Sequence, residues 1–304
     1  MSKPEINRLN NISPKSNKIL NIILAVYTSL CVLPLFLVLA VSFSDENSLF
    51  IHGFSFIPKQ FSTAAYDFIF SQANQVLVAY GISIFITLAG TALSVMIMSL
   101  YAYPISRKDF KYKNFFTFYL ILTMLYSGGL VATYLVGVRV LQFKDNILGL
   151  ILPYVMNVFS VIILRTFFQT NVPDSLIESA KIDGAGEFRT FFEIVFPLAM
   201  PGIATVGLLA MIQYWNDWFL ASIYINDLKL APLPYLLYQV QISMNFLLQN
   251  SSNIGSQSGS ILANMPNETA RMAMAVICVG PVALTFPFFQ KYFVKGMTVG
   301  AIKG

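Results

Sequence analysis

The charged segment Glu178–Pro197, which reads ESAKIDGAGEFRTFFEIVFP, is the most hydrophilic long stretch in the second half of a very apolar chain. Its ionisable residues are Glu178, Lys181, Asp183, Glu187, Arg189 and Glu193. Nucleophilic or metal-assisted chemistry needs a Ser/His/Asp set, a Cys/His set or spaced metal ligands, and the segment contains none of these. It is therefore predicted either to contact a partner or to be a solvated connector.

Helix signals run through this segment and the residues before it. Pro173 suits a first helical position, and Asp174 and Glu178 complement the helix dipole in the early turns. Gly184 then permits a bend. A second short helix is predicted from this bend to the end of the segment.

An apolar stripe at helical spacing leaves two interpretations of the segment open. The stripe consists of Ile177, Ala180, Gly184 and Phe188. Either it belongs to an ordinary connector, or it forms an amphipathic helix that docks in a groove on a soluble partner. In the second case Ala180, Gly184 and Ala185 would let the partner's surface approach closely.

The composition is that of an all-α membrane protein. Hydrophobic residues make up 56% of the 304 residues and charged residues only 11%, whereas soluble domains have about 25% charged residues. Mean hydropathy is +0.68. The net charge of +5 comes from Lys and Arg scattered singly between apolar runs. This pattern predicts orientation in a lipid bilayer and argues against nucleic-acid binding.

Cysteine and histidine usage excludes most chemistry on this chain. Cys31 and Cys278 each lie inside an apolar run, so neither a disulfide nor a metal site is expected. His52 is the only histidine. No Walker A lysine loop is present, so the chain is not expected to bind ATP. Gly128 and Gly129 fall within an apolar run, where they allow close helix packing or a break.

Runs without Asp, Glu, Lys or Arg predict six membrane spans, since about 20 apolar residues cross the hydrocarbon. The runs are Ile19–Ser44, Val76–Ser106, Asn114–Val138, Asn146–Leu164, Ile194–Asn216 and Met272–Gln290. A seventh uncharged run, Leu230–Leu248, would carry the basic C-terminal tail to the outer face. It is therefore predicted to be a surface or re-entrant piece, with both termini cytoplasmic.

These spans divide the chain into segments. The predicted segments are a cytoplasmic N-terminus (1–18), the first span (19–44), an extracytoplasmic segment (45–75), a five-span core (76–292) that includes a cytoplasmic loop (171–197) and an extracytoplasmic segment (227–270), and a cytoplasmic tail (293–304).

The charged segment resembles the EAA loop of ABC importer permeases: Glu, two small residues, three positions, Gly, nine positions, then Ile-x-Leu-Pro. The matching positions are Glu178, Ser179, Ala180, Gly184, Ile194, Phe196 and Pro197. Ser179 replaces the usual second alanine and Phe196 replaces leucine, and both keep the size or the apolar character. Asp183-Gly184-Ala185 matches the longer form of the motif.

The likeness extends over roughly residues 70–304, including GISIFITLAGTALSVMIMSLYAYPISR, YWNDWFLASIYI and KYFVKGMTVGAIKG. These stretches resemble the carbohydrate-uptake branch, in particular the second, maltose-importer-type permease of the complex-oligosaccharide subgroup. One departure follows the fifth span, where this chain has PLPYLLYQV instead of Pro-Leu-Gln and an arginine. The resemblance implies a type I importer permease fold in the plasma membrane of a bacterium.

The resemblance also implies partners: a second permease that is a different chain, two ATPase subunits and an extracytoplasmic sugar-binding protein. ATP and Mg would bind on the ATPase, so this chain would hold no cofactor and would not be an enzyme. Gly184 would act as a hinge and close-contact residue. The implied ATPase-coupling residues are Glu178, Ala180, Asp183, Gly184, Ala185, Ile194 and Pro197, and those of a tail at the ATPase interface are Lys295, Gly296, Gly300 and Lys303.

A candidate substrate path lies near the end of the fifth span. Asp217 is the one acid within a predicted span, and intramembrane acids are functional suspects. Gln213, Asp217 and Tyr224 are predicted to share a helical face that lines a sugar path, while Trp215 and Trp218 either stack on sugar rings or anchor the interface. The candidate path comprises Asn157, Gln213, Asn216, Asp217 and Trp218, with helix bridging as the alternative role of Asn157.

Three other functions are weighed against sugar import. An ABC permease for amino acids or peptides is the main alternative, because the loop motif does not exclude it. A stand-alone secondary transporter is disfavoured, since neither an inverted repeat nor a set of mid-membrane acids for ion coupling is detected. A membrane-embedded enzyme is disfavoured by the single histidine and the missing nucleophile set.

Overall fold

The computed structural model describes residues 14–71, 73–126, 128–249 and 266–301, with the backbone alone for Pro14, Leu248 and residues 286–301. Within these ranges the regular elements are helices, and one isolated bridge joins Ser44 and Phe61. This confirms the all-α prediction. Contacts divide the chain into two compact units, one formed by Met1–Ser71 with Ser251–Ile277 and the other by Gln72–Asn250 with Cys278–Gly304.

The α-helices are numbered here in chain order. They are α1 (Pro14–Ser42), α2 (Glu46–His52), α3 (Ala64–Phe70), α4 (Ala73–Ser106), α5 (Lys113–Leu125), α6 (Gly129–Arg139), α7 (Leu148–Ile151), α8 (Val158–Asn171), α9 (Asp174–Ile182), α10 (Glu187–Thr190), α11 (Phe196–Leu198), α12 (Met200–Asn216), α13 (Phe219–Tyr224), α14 (Leu233–Gln249) and α15 (Glu268–Ala301). Short 3-10 turns occupy Leu152–Tyr154 and Leu228–Leu230, and a π-helical turn occupies Phe191–Val195.

The first unit is built around α1, which exposes apolar side chains on every side. Tyr27 is 67% exposed and Leu30 is 64% exposed, as expected for a helix that faces lipid. The same unit contains a charged cap: the Glu46 carboxylate accepts hydrogen bonds from the backbone N–H groups of Glu268 and Thr269, at 2.9 and 3.0 Å. Glu46 thus satisfies free donors at the start of α15 and favours its positive dipole end.

Three helices are long and apolar enough to cross a membrane, and up to six spans result if each bent helix pair is counted as one. The single helices contain Lys15–Ser42, Ala73–Ser106 and Glu268–Thr285. The bent pairs are α5 with α6, Leu148–Tyr154 with α8 (52°), and Glu187–Leu198 with α12 (82°). Three of the predicted runs therefore contain a helix break. Helix α6 begins at Gly129, so the pair Gly128-Gly129 lies where one of these spans is interrupted.

The core of the second unit forms where α4 packs against α8 and α12. One buried cluster surrounds the C-terminal half of α4, around Met98 and Leu164. A second cluster surrounds its N-terminal half, around Ile86, Tyr214 and Tyr224. Helix α4 is thus the central element of this unit, with α8 and α12 as its main supports.

Helix α14 occupies most of the stretch Leu230–Leu248, the predicted surface or re-entrant piece. Its first turns are buried, with Leu233 at 0% and Tyr235 at 6% exposure, and the Leu233 N–H donates to Ser83 Oγ at 2.7 Å. Prolines in the first turn of a helix cost no hydrogen bond, so this end can pack inward, whereas Ile242 and Phe246 farther along are 44% and 64% exposed. The surface and re-entrant interpretations both stay predictions.

Alanine at Gly90 is expected to destabilise the protein. A Cβ there would lie 2.7–2.8 Å from three ring atoms of Tyr214. The ring cannot move aside easily, since its hydroxyl is paired with Ser94 Oγ and donates to the Ile151 carbonyl, both at 2.9 Å. Overpacking of this kind costs about 1–3 kcal/mol, so the thermal midpoint of the detergent-solubilised protein should fall by several degrees.

Gly81 on the same helix is the matched control. A Cβ at Gly81 meets nothing within 4 Å, so Gly81→Ala should leave the midpoint unchanged or raise it slightly. Equal midpoints for the two variants would show that the α4–α12 contact is looser than described.

Candidate functional site

The charged segment forms two short helices joined by a turn at Gly184. Gly184 has φ +79°, its N–H donates to the Lys181 carbonyl at 3.1 Å, and the Ala185 N–H donates to the Ala180 carbonyl at 2.9 Å. This is a Schellman cap of α9. The predicted bend is confirmed. A Cβ at Gly184 would meet nothing within 4 Å, so glycine is required by the backbone conformation rather than by space.

The apolar stripe divides between the interior and the surface. Ile177 and Ala180 are buried, at 4% and 6% exposure, and Ile177 belongs to the core cluster around α4. Gly184 is exposed and Phe188 is 74% exposed, and Ile182, which is not part of the stripe, is 85% exposed. Ala180 therefore packs α9 against its own chain, which differs from the expectation that its small side chain meets a partner.

The other predicted coupling residues lie on or near the surface. Glu178 and Asp183 are exposed, and neither forms an ion pair with another described residue. Ala185 and Ile194 are half-buried and Pro197 is exposed. Ile194 lies in the π-helical turn, a feature often found at functional sites. Of the predicted tail residues, Lys295, Gly296 and Gly300 lie on α15, and Lys303 lies outside the described residues.

An ionic cluster, formed by Arg107, Asp109, Lys181 and Glu187 with Tyr103, ties the charged segment to the end of α4. Asp109 accepts two hydrogen bonds from the Arg107 guanidinium, at 3.0 and 2.9 Å, and one from Lys181 Nζ at 2.7 Å. Lys181 also lies 3.5 Å from Glu187, which accepts from the Tyr103 hydroxyl at 2.8 Å. Hydrogen bonds from Arg107 and Lys181 hold the pKa of the Asp109 carboxyl well below its usual range.

A second ion pair joins the same loop to the start of α9. Lys108 Nζ lies 2.8 Å from the Asp174 carboxylate, and both side chains are more than half exposed. Exposed pairs of this kind contribute about 0–1 kcal/mol. The loop after α4 thus contacts α9 at both ends, and the contact at the Lys181 end is the more extensive one.

A polar cavity of about 270 Å³ lies where α4, α8 and α12 meet. It is lined by Met98, Tyr154, Asn157, Phe159, Ser160, Leu209, Ala210 and Gln213. The structure thus brings Asn157 and Gln213 to one cavity, and their place on a substrate path stays a prediction. The Asn157 side chain also caps α8 by accepting from the Ser160 N–H at 3.0 Å.

Sequence reasoning missed Tyr154, which links this cavity to Asp217. The Tyr154 hydroxyl donates to Asp217 Oδ1 at 2.9 Å. The residues are 63 positions apart, and Tyr154 stands in an apolar run that gives no local sign of the pairing. Among the described residues, the side-chain partner of Asp217 is therefore a hydroxyl donor rather than a cation.

The prediction that Gln213, Asp217 and Tyr224 share one helical face is wrong. Helix α12 ends at Asn216, where the side chain is exposed, and Asp217 has extended backbone. Tyr224 belongs to α13 and is 1% exposed.

The two tryptophans also have different surroundings. Trp215 is buried and donates to the Cys278 carbonyl at 2.9 Å, so it is not free to stack on a sugar. Trp218 is 40% exposed, and its ring lies 4.3 Å from that of Tyr238. Of the two, Trp218 alone retains an accessible aromatic surface.

Comparison with known proteins identifies the family to which this chain belongs. Residues 11–299 match the family described as binding-protein-dependent transport system inner membrane component. The polygalacturonan/rhamnogalacturonan transport system permease protein YtcP of Bacillus subtilis is 41% identical over 92% of this chain and 96% of its own length. The arabinooligosaccharides transport system permease protein AraQ of Halalkalibacterium halodurans is 27% identical over 96% of this chain and 98% of its own.

The fold agrees with this family. A crystal structure of a bacterial ABC transporter involved in the import of the acidic polysaccharide alginate contains a chain with a TM-score of 0.77 and 25% identity, covering 93% of this chain and 100% of that one. This family works with ATPase and binding-protein partners, and its members cross the inner membrane several times without catalysing a reaction. The chain belongs to the inner-membrane components of binding-protein-dependent transport systems, the permeases of ABC importers.

Proposed function

We propose that this chain moves an oligosaccharide into the cell, driven by ATP hydrolysis on a partner ATPase that contacts the charged segment. The observation that carries this proposal is the 41% identity, over 92% of the chain, to a permease named for polygalacturonan and rhamnogalacturonan. Relatives named for arabinooligosaccharides support the same substrate class.

The proposed arrangement has six spans with both termini cytoplasmic. Segments 1–18, 171–197 and 293–304 lie inside the cell, and segments 45–75 and 227–270 lie outside. The scattered Lys and Arg residues support this orientation through the positive-inside bias. The chain pairs with a second, different permease in a bacterial cell membrane, together with two ATPase subunits and an extracytoplasmic sugar-binding protein.

The exposed face of the charged segment is the proposed docking surface for the ATPase. It presents Glu178 and Asp183 beside the exposed apolar side chains of Ile182 and Phe188. Phe188 also borders an open groove of about 550 Å³, which offers space for a partner's side chain. Acidic and apolar groups side by side suit a partner cleft with basic and apolar walls.

Coupling between ATP hydrolysis and transport then follows from the contacts that the two faces of α9 make. The ATPase binds the exposed face of α9, while the opposite face, where Ala180 is also buried, packs through Ile177 on the core around α4. ATP-driven closure of the ATPase dimer moves α9 and, with it, the spans that α9 packs against. ATP and Mg²⁺ bind on the partner, and tail residues Lys295, Gly296, Gly300 and Lys303 meet the ATPase interface. The substrate passes Asn157, Gln213, Asn216, Asp217 and Trp218.

Reconstitution of the complete importer in proteoliposomes tests this function. The chain, its partner permease, the ATPase and the binding protein are assembled, and uptake of labelled arabinotriose, trigalacturonate and a tripeptide is compared. We expect uptake of at least one oligosaccharide that requires both ATP and the binding protein. Uptake of the tripeptide with no uptake of either sugar would contradict the proposal.

A further inference from the structure

We infer that the polar cavity lined by Tyr154, Asn157 and Gln213 is a subsite for one neutral, hydroxyl-bearing sugar unit of the transported oligosaccharide, and that it disfavours uronate carboxylates. The inference rests on the proposed function, because it names the substrate chemistry that this chain itself contacts. Three observations carry it: a helix break, unused hydrogen-bonding groups and the distribution of charge.

The cavity lies at a break in a candidate span. The 3-10 turn Leu152–Tyr154 ends before α8 begins at Val158, and the two helical parts are bent by 52°. At membrane depth, irregular backbone is tolerated where it is buried in protein or lines a cavity. Discontinuous helices of this kind recur at the substrate sites of transporters. The break therefore places backbone and side-chain polar groups beside an open recess between α4, α8 and α12, at whose edge Asn157 and Phe159 are exposed.

The cavity contains hydrogen-bonding groups that have capacity left. Within the described ranges, Asn157 uses its carbonyl oxygen to cap α8, and its amide N–H₂ has no acceptor. The Gln213 side chain has no hydrogen-bond partner in the described part of the chain. The Tyr154 hydroxyl donates to Asp217 and can still accept. The cavity thus offers both donors and acceptors, which suits hydroxyl groups because a hydroxyl can do either.

The charge around the cavity disfavours an anionic ligand. Neither lysine nor arginine is among its lining residues. The formal charge closest to them in the hydrogen-bond network is that of Asp217, bonded to Tyr154 at 2.9 Å. Arg165 follows Asn157 by eight residues, about 12 Å along α8. A uronate carboxylate would therefore meet a like charge with no nearby cation to bind it.

The size and walls of the cavity fit one sugar ring. Its 270 Å³ is just below the roughly 300–1,000 Å³ of pockets that take drug-sized ligands. Met98, Phe159 and Leu209 supply apolar walls for the C–H faces of a ring. Longer substrates would extend beyond this chain's cavity into the rest of the path.

Saturation-transfer difference NMR on the purified permease–ATPase assembly, without the binding protein, tests the subsite directly. The probes are arabinotriose as the neutral sugar and trigalacturonate as the anionic one. Wild type is expected to show at least threefold stronger transfer to arabinotriose. Gln213→Met should weaken that signal at least threefold, and Gln213→Lys should shift the preference toward trigalacturonate. Gln241→Met, the same chemical change on α14 outside the cavity, should behave as wild type.

A gain of trigalacturonate binding in Gln213→Lys cannot come from general damage, so this variant separates a subsite from a structural role. Equal transfer to the two probes in wild type, no transfer to either, or an unchanged arabinotriose signal in Gln213→Met would each overturn the inference. Failure of the proposed function has a different readout, namely absence of ATP-driven oligosaccharide uptake by the complete importer.

Discussion

Valine at position 184 is expected to lower binding-protein-stimulated ATP hydrolysis and sugar uptake about tenfold. Gly184 has φ +79°, a region that costs an ordinary side chain about 1–2 kcal/mol and a β-branched one more. Since 1.4 kcal/mol is a factor of ten in an equilibrium, this strain disfavours the turn that ends α9. The exposed docking face would then lose its fixed orientation toward the ATPase.

Two further substitutions identify the cause of this loss. Asparagine adopts a left-handed backbone more readily than other residues, so Gly184→Asn should keep at least a third of the activity. Gly186 has φ −72° and ψ 163°, and a Cβ there meets nothing within 4 Å, so Gly186→Val should keep nearly all of it. Both measurements use the importer in proteoliposomes, with membrane content checked by immunoblot. Equal losses in Gly184→Asn and Gly184→Val would show that bulk, not backbone conformation, matters at this position.

The helical class and the number of candidate spans could be predicted from the sequence, but the helix breaks could not be. Apolar runs show which segments can lie in lipid. They do not show where a helix ends inside such a segment, because the amino-acid composition is similar on both sides of the break. The break before α8 carries a local signal, since Pro153 enters a short turn and Asn157 is a good cap. The bend between Leu198 and Met200 similarly lies between two prolines.

The turn at Gly184 could be predicted because it depends on neighbouring residues. The direction in which the apolar stripe faces could not be predicted, because amphipathic spacing does not show whether the same chain or a partner will cover the stripe. Ile177 of this stripe packs on the chain's own core, whereas Phe188 of the same stripe is exposed. The links from Tyr154 to Asp217 and from Asp109 to Lys181 join residues 63 and 72 positions apart. Contacts of that range are set by tertiary packing.

Asparagine at position 109 is expected to lower the amount of sugar imported per ATP hydrolysed about threefold, with little change in ATPase binding. Asp109 connects Arg107, just beyond the end of α4, to Lys181 in the last turn of α9. Helix α4 packs against α8 and α12, which line the polar cavity. A movement of α9 therefore reaches the cavity through Asp109 as well as through apolar contacts. The change leaves Glu178 and Asp183 on the proposed docking surface unaltered, although Asp109 also lines the groove beside Phe188.

Asp174→Asn is the matched control, because it removes an equally exposed carboxylate that pairs with Lys108, whereas Asp109 bonds both Arg107 and Lys181. We expect uptake per ATP to stay within about a fifth of wild type, in line with the small contribution of exposed pairs. Asp109→Asn and Lys181→Gln should be non-additive when combined, since each removes the same ion pair. Additive losses, or equal uptake per ATP in the Asp109 and Asp174 variants, would show that this cluster does not transmit movement.

The pH dependence of stability separates the charge of Asp109 from its shape. The hydrogen bonds from Arg107 and Lys181 lower the pKa of the Asp109 carboxyl, so its stabilisation is fully present above the unfolded-state pKa of about 3.9. It is lost as the pH falls through the lower folded-state pKa. The difference in thermal midpoint between wild type and Asp109→Asn should therefore be constant from about pH 6 to 8 and shrink below about pH 4. A difference that persisted unchanged in acid would assign the contribution of Asp109 to packing, and the charged contact would then not be what holds α9 to α4.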